Sequence, residues 1–347
     1  MRPAVLSSEA IRLRLDLNEA PSDADATFRQ RFLGFLQELE WRRYPPEDGS
    51  PAREAAASLY GWRPEGTLVG NGSAELLAVT LSTLCQPGAV VLTLWPSFSL
   101  YPVLLRRVQA TELRYPLAPP IFAVEDERLL SLAARADVLL LCSPNNPTGG
   151  ELSARLWREL LRLGKPTIWD GAYWEFGTAG EMADWLAEFP HLVVTRSLSK
   201  AWGLAGVRAG GLCTSPALAE RIHAHQLPFF PGVAVWAAFH AAAADPQLGK
   251  ARAMAVTAER ERQLTQLGRL PGVEVVPSAG NFYLLRRVGW QGQRLAQVLA
   301  QAGVAVRVVP ELDAYGYVRV TVGTPAEGDV LMTVLQEVVH GLTTGAC

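Results

Sequence analysis

Between about residues 50 and 240, short apolar runs bounded by glycine, proline or polar residues alternate with stretches whose apolar positions recur at helical spacing. Runs buried on both faces and separated by helices are the mark of a mostly parallel sheet covered on both sides. Strands are predicted over 89–94, 137–142, 166–169, 191–196 and 207–213. Ser50 can cap a helix that has Pro51 at its first position and Gly61 just past its end. A second helix is predicted from about Ser73, and a third over 233–244. After Asp245-Pro246 the composition shifts. A charged helical stretch over 250–268 leads into two strand-helix units, about 273–286 and 304–321, and an amphipathic helix running to His340. The pattern predicts an α/β chain in three parts. An arm over 1–45 carries one helix over 26–40 and packs with the small domain or a partner subunit; a large domain spans 46–245; a smaller α+β domain spans 246–347.

Composition agrees with a folded chain of that size. Of the 347 residues 49% are apolar and 19% charged, too greasy for disorder. The net charge of −2 gives no electrostatic footprint for nucleic acid or an anionic membrane. No stretch approaches 18 uninterrupted apolar residues and the first residues lack an apolar signal core, so neither a membrane span nor export is expected. Cys85, Cys142, Cys213 and Cys347 are scattered, which argues against a disulfide framework and for a reducing, cytoplasmic compartment. His223 and His225 are one residue apart on a predicted helix and face different ways, so no metal site is expected. Only Lys165, Lys200 and Lys250 among the 32 basic residues are lysines, which leaves three candidates for any amine chemistry.

The richest segment is Ser-Leu-Ser-Lys-Ala-Trp-Gly-Leu-Ala-Gly-Val-Arg-Ala-Gly over 197–210, directly after a predicted strand. Lys200 lies there among small residues, where an aldehyde could approach the amine. Burial and nearby positive charge would leave part of that amine neutral. Ser197, Ser199 and Arg208 could bind a phosphate dianion. Gly-Asn-Gly-Ser-Ala-Glu over 70–75 precedes a helix whose N-terminal amides can face an anion. It lacks the Gly-Lys-Ser/Thr of a P-loop, which disfavours a plain nucleotide-binding α/β protein.

The lysine segment resembles the signature of the class I and II aminotransferases, enzymes that use pyridoxal 5'-phosphate on the type I fold, a mostly parallel sheet with helices on both faces. The resemblance implies that Lys200 forms the Schiff base with the cofactor and later moves the proton between substrate and cofactor carbons. Ser-Pro-Asn-Asn-Pro-Thr-Gly over 143–149 resembles the family's asparagine loop and implies that Asn145 donates to the cofactor's phenolic oxygen. Trp-Asp-Gly-Ala-Tyr over 169–173 implies Asp170 as the partner of the pyridinium nitrogen and Tyr173 as a second donor to the phenolic oxygen. Ser73 and Ala74, with Ser197, Ser199 and Arg208, match the phosphate cradle, and Phe98 the ring stacked on the pyridine. Arg43-Tyr44-Pro45 resembles the arm whose tyrosine reaches the neighbouring subunit's cofactor, which implies a homodimer. Arg319, in Arg-Val-Thr-Val-Gly-Thr, and Arg307 are implied as substrate binders.

In their order, covering about residues 16–335, these segments are most similar to the histidinol-phosphate branch of the family, which exchanges an amino group between histidinol phosphate and 2-oxoglutarate. Two departures stand out. Gly171 replaces the usual glutamate of Asp-Glu-Ala-Tyr, and Ala20-Pro21 runs into Ser22-Asp23 where the branch continues with Tyr-Gly. A related aromatic or imidazole amino acid is therefore an alternative donor. Two other readings on the same scaffold are a phosphoamino acid decarboxylase of the cobalamin pathway type and a non-catalytic binding module for the cofactor.

Overall fold

The apolar runs of the large region assemble into one seven-stranded sheet. The computed structural model describes residues 11–180 and 182–340. A short strand, β1 (Leu13–Leu15), comes first. The sheet is then built from β2 (Thr67–Asn71), β3 (Val90–Trp95), β4 (Thr111–Pro116), β5 (Val138–Cys142), β6 (Thr167–Gly171), β7 (Leu192–Ser197) and β8 (Ala209–Cys213). Their spatial order is β2-β8-β7-β6-β5-β3-β4. The pairs β4-β3, β3-β5, β5-β6 and β6-β7 are parallel, whereas β8 runs antiparallel to both β7 and β2. All residues of β5, β6 and β7 are buried, which explains their unbroken apolar character.

The five predicted strands appear within two residues of their expected bounds. β8 starts at Ala209, not at residue 207, because Arg208 has φ +63° and cannot continue a strand. β4 escapes the sequence pattern because it is an edge strand with only Tyr115 buried. The helix Ser50–Tyr60 corrects one expectation: Ser50 is its first residue, and Gly49, with φ +64°, is the cap. The Asp48 carboxylate accepts from the Ser50 amide instead. Gly61 ends the helix in the left-handed conformation, as a residue without Cβ can do at low cost.

A second sheet follows, with β9 (Val273–Val276), β10 (Phe282–Arg287), β11 (Val304–Val308) and β12 (Tyr317–Thr321). Its order is β1-β11-β12-β10-β9. β1 pairs parallel with β11, so residues 13–15 belong to the small sheet. The helix Ala26–Glu38 then lies against the helix Val233–Ala243 of the large region, with Phe35 stacked on His240 at 4.2 Å. The chain thus crosses between the two sheets over residues 16–25.

Beneath β6 the core is aromatic. Trp157 stacks on Trp169 with centroids 3.8 Å apart, and Trp174 and Trp185 flank Trp169 at 4.8 Å and 5.7 Å. This cluster fixes the strand immediately before Asp170. Cys85, Cys142 and Cys213 are free and buried, while Cys347 lies outside the described residues. Among the described residues no helix is long and apolar enough to cross a membrane.

Candidate active site

A cavity of about 480 Å³ opens at the carboxyl ends of β3, β5, β6 and β7, where a doubly wound sheet collects ligand groups. Residues 17–19 and the ends of β11 and β12 form its other wall.

Lys200 projects into this cavity from the loop after β7. Its Nζ donates to the carbonyls of Asn18 at 2.9 Å and Leu17 at 3.2 Å. Burial pushes the amine down to about 8, with Arg319 and Arg208 adding to the effect and Glu19 opposing it. Neither Lys165 nor Lys250 lines the cavity.

Asp170, the penultimate residue of β6, lines the same cavity. It is buried, and among the described residues no cationic side chain pairs with it. Its carboxylate accepts from the hydroxyls of Tyr101 at 2.8 Å and Thr195 at 3.1 Å and from the Ala172 amide at 3.2 Å. Burial raises its pKa, and these three bonds draw it back toward the ionised form. A buried carboxylate held by neutral donors alone has room for one cation facing it from the cavity.

The asparagine loop needs a correction. Asn145, expected in the cavity, is turned behind its wall: its amide donates to Pro96 O and Thr148 Oγ1, and its Oδ1 accepts from Ser97. Asn146 lines the cavity instead, and its Oδ1 accepts from Arg319 Nη1 at 2.7 Å. The loop closes as a turn, with the Gly149 amide donating to Asn145 O at 2.7 Å, so neighbouring side chains leave it in different directions, and the doubled asparagine conceals which of the pair points inward.

Tyr173 also lines the cavity, and its hydroxyl accepts from Asn18 Nδ2 at 2.9 Å. Burial raises the phenol well above its ordinary range. Asn18, like Asn146 and Tyr101, is a residue of the site for which the sequence alone suggested no role. It is buried with φ +52°, a conformation that asparagine tolerates better than most residues. Its backbone amide bonds Thr321, and its carbonyl also accepts from Asn281. It sits in Leu-Asn-Glu-Ala-Pro over 17–21, outside every predicted element, so no local pattern marks it.

Ser73, Ala74, Ser197, Ser199 and Arg208 converge at the cavity's other end. The helix Ser73–Leu84 begins there after Gly72, and the amides of Ser73 and Ala74 have no acceptor. Two glycines make the approach possible. A Cβ on Gly72 would lie 2.6 Å from Arg208 Nη2, and one on Gly210 would lie 2.3 Å from Ser73 N. Arg208 holds its place in a left-handed conformation, with Nη1 bonded to Ala205 O at 3.2 Å and Ser199 Oγ at 3.4 Å. Such a costly backbone persists only where its surroundings demand it. Free helix amides, two hydroxyls and a guanidinium make an anion cradle of the kind a phosphate requires.

Arg307 and Arg319 stand directly opposite each other on β11 and β12, and both line the cavity. Arg319 is buried and bonds Asn146 and Asp16 O, while its Nε has no partner. The Arg307 side chain is exposed and forms no ion pair among the described residues. Like charges paired across strands repel unless an anion lies between them. Phe98 lines the cavity with its ring edge-on to Tyr101 at 5.7 Å. Tyr44 is 81% exposed, packs on Phe229 at 4.9 Å and does not line this cavity.

Gly171 has a packing reason. A Cβ there would lie 2.7 Å from Thr195 O and 3.1 Å from Trp174. Trp174 fills the space where a longer side chain would begin, and Glu175 supplies a nearby carboxylate, paired with buried Arg196 at 2.7 Å. Ser22 and Asp23, at the second departure, do not line the main cavity; Arg252 holds their carbonyls.

A lysine in the loop after a strand, a buried carboxylate and an anion cradle, all lining one cavity, define an enzyme of the pyridoxal-phosphate type I fold. The chain belongs to the class I and II aminotransferases, whose family model matches residues 13–335. It is 32% identical over 335 residues to a histidinol-phosphate aminotransferase of Thermococcus gammatolerans, covering 96% of this chain and 94% of that protein. Its fold is similar to that of a histidinol-phosphate aminotransferase from Sinorhizobium meliloti solved with pyridoxal 5'-phosphate. The TM-score is 0.84 at 23% identity, over 96% of this chain and 92% of the other. The same fold recurs in an L-threonine-O-3-phosphate decarboxylase from Porphyromonas gingivalis, with a TM-score of 0.80 at 23% identity over 94% and 99% of the two chains.

Proposed function

We propose that the chain transfers an amino group between histidinol phosphate, or a related aromatic or imidazole amine, and 2-oxoglutarate, with pyridoxal 5'-phosphate bound at Lys200. The observation that carries this reading is the buried carboxylate of Asp170, which has no cationic partner among the described residues and lines the same cavity as a lysine whose amine is partly neutral. The cofactor, when bound, supplies an electron-withdrawing ring that accepts the charge left when a proton leaves the substrate carbon. Asp170 would keep the ring nitrogen protonated. Asn146 and Tyr173 would hold the phenolic oxygen, a role moved by one residue from Asn145. Ser73, Ala74, Ser197, Ser199 and Arg208 would hold the phosphate, and Phe98 would cover the ring.

Lys200 is the base that moves the substrate proton, because its amine is close to half neutral near pH 8. Arg319 and Arg307 present two positive charges to one side of the substrate, which suits a phosphate or a carboxylate in turn. The apolar residues Trp41, Tyr44, Leu227 and Phe229 are exposed on the two segments that meet at the Tyr44–Phe229 pair. They support a homodimer in which Tyr44 reaches the second site. The composition and free cysteines support a cytoplasmic setting.

The test is a panel of amino donors with 2-oxoglutarate, together with borohydride reduction and peptide mapping. A pyridoxyl tag on the Lys200 peptide and a preference for histidinol phosphate over phenylalanine, tyrosine and histidine are expected. Release of carbon dioxide without consumption of 2-oxoglutarate would instead identify a decarboxylase. An untagged Lys200 would overturn the mechanism.

A further inference from the structure

We infer that Arg252, on the helix Gln247–Leu267, is a positioning residue that clasps the segment 16–23 to the lysine loop and so holds the carbonyls of Leu17 and Asn18 where they receive Lys200 Nζ whenever that amine is free. The inference rests on the reading of Lys200 as the cofactor lysine.

Residues 16–23 belong to no helix or strand. Backbone carbonyls near a buried site still require donors, and here side chains from other elements supply them. Arg319 donates to Asp16 O, Lys200 to Leu17 O and Asn18 O, and Asn281 to Asn18 O and Glu19 O. Arg252 closes the far end, with Nη1 on Asp23 O at 2.9 Å and Nη2 on Ser22 O. Its Nε donates to Ala201 O, the residue after Lys200, at 2.9 Å. One guanidinium therefore ties three carbonyls in two chain segments; Asp25 and Asp23 act on its charge, but among the described residues no carboxylate is within ion-pair distance. An ammonium group could not span the same three points, because its donors radiate from one atom.

The surrounding packing is shaped to this contact. A Cβ on Gly203 would lie 2.8 Å from Arg252 Nη2 and 3.1 Å from Ser22 O. Three residues before Arg252, a Cβ on Gly249 would strike the Trp202 ring at 2.4 Å. The helix and the lysine loop thus interlock at two glycines. Behind the clasp lies a second, mostly apolar cavity of about 190 Å³, lined by Pro21, Phe176, Arg252 and Val256 and reaching Lys200 from the other side. Residues 17–22 and Lys200 separate the two cavities. With the clasp released, the segment is free at that end and water can approach Lys200 from behind.

The test compares Arg252→Gln and Arg252→Lys with the parent in the full, cofactor-loaded chain, by hydrogen exchange and steady-state kinetics. Both variants are expected to speed amide exchange at residues 16–23 at least tenfold, leave β5 and β6 unchanged, and lower kcat at least tenfold with a smaller change in KM. Unchanged exchange at 16–23, or an equal acceleration throughout the chain, would overturn the inference. Parent-like behaviour of the lysine variant would also overturn it, because charge alone would then suffice. A parent enzyme without a pyridoxyl tag on Lys200 would instead refute the cofactor reading, and the exchange data would still report on the clasp.

Discussion

Replacing Lys200 by methionine should change the stability of the cofactor-free protein by an amount that depends on pH. The folded amine sits at about 8 against an ordinary 10.5, because burial disfavours its charged form. A separation of about 2.5 pH units corresponds to a penalty of about 3 kcal/mol at 1.36 kcal/mol per unit. Below pH 8 both folded and unfolded chains carry the proton, and the whole penalty is present. Between pH 8 and 10.5 the folded lysine is neutral while the unfolded one is charged, so stability rises by about 1.4 kcal/mol per pH unit. Methionine fills the same channel without charge but leaves the Leu17 and Asn18 carbonyls unpaired, at about 1 kcal/mol each. Lys200→Met should therefore be about 1 kcal/mol more stable at pH 7, and the two stability curves should cross near about pH 9. Guanidinium denaturation at several pH values, followed by the fluorescence of the tryptophan cluster beside β6, measures this difference. Parallel curves between pH 8 and 9.5 would show that Lys200 is not a desolvated cation.

Asp170→Asn keeps the shape of the site and removes its charge, so single-turnover amino transfer should slow by about 100-fold or more while the far-ultraviolet spectrum is unchanged. Asn146→Ala should depress kcat/KM and alter the absorbance of bound cofactor. Asn145→Ala should leave that absorbance intact and cost about 1–3 kcal/mol of stability through its lost loop bonds, seen in denaturation midpoints. Trp169→Ala should lose about 3–5 kcal/mol, because it empties the centre of a stacked cluster, and calorimetry would show a lowered transition.

The buried strands were legible because each is an apolar run ending in a residue of different character, as at Cys142, Asp170 and Ser197. The edge strand β4 was not, since five of its six side chains are not buried and an apolar run is not required of them. At the site, the lysine, the carboxylate and the anion cradle could be named because each follows a strand end or opens a helix. What stayed hidden was side-chain direction and long-range pairing. The choice between Asn145 and Asn146 is a matter of backbone turn, and Tyr101 reaches Asp170 across 69 positions of chain. Arg252 and Asn18 act on segments more than 150 residues away, which no local pattern encodes.

The stretch from Asp16 to Asp23 has a consequence for how the molecule is built. Because its carbonyls are claimed by side chains from the small sheet, the lysine loop and a helix that begins after residue 245, it can settle only once those distant parts have come together. Residues 16–23 are thus among the last pieces to lock. A nascent or half-assembled molecule cannot shield a reactive amine, and competence arrives together with completion.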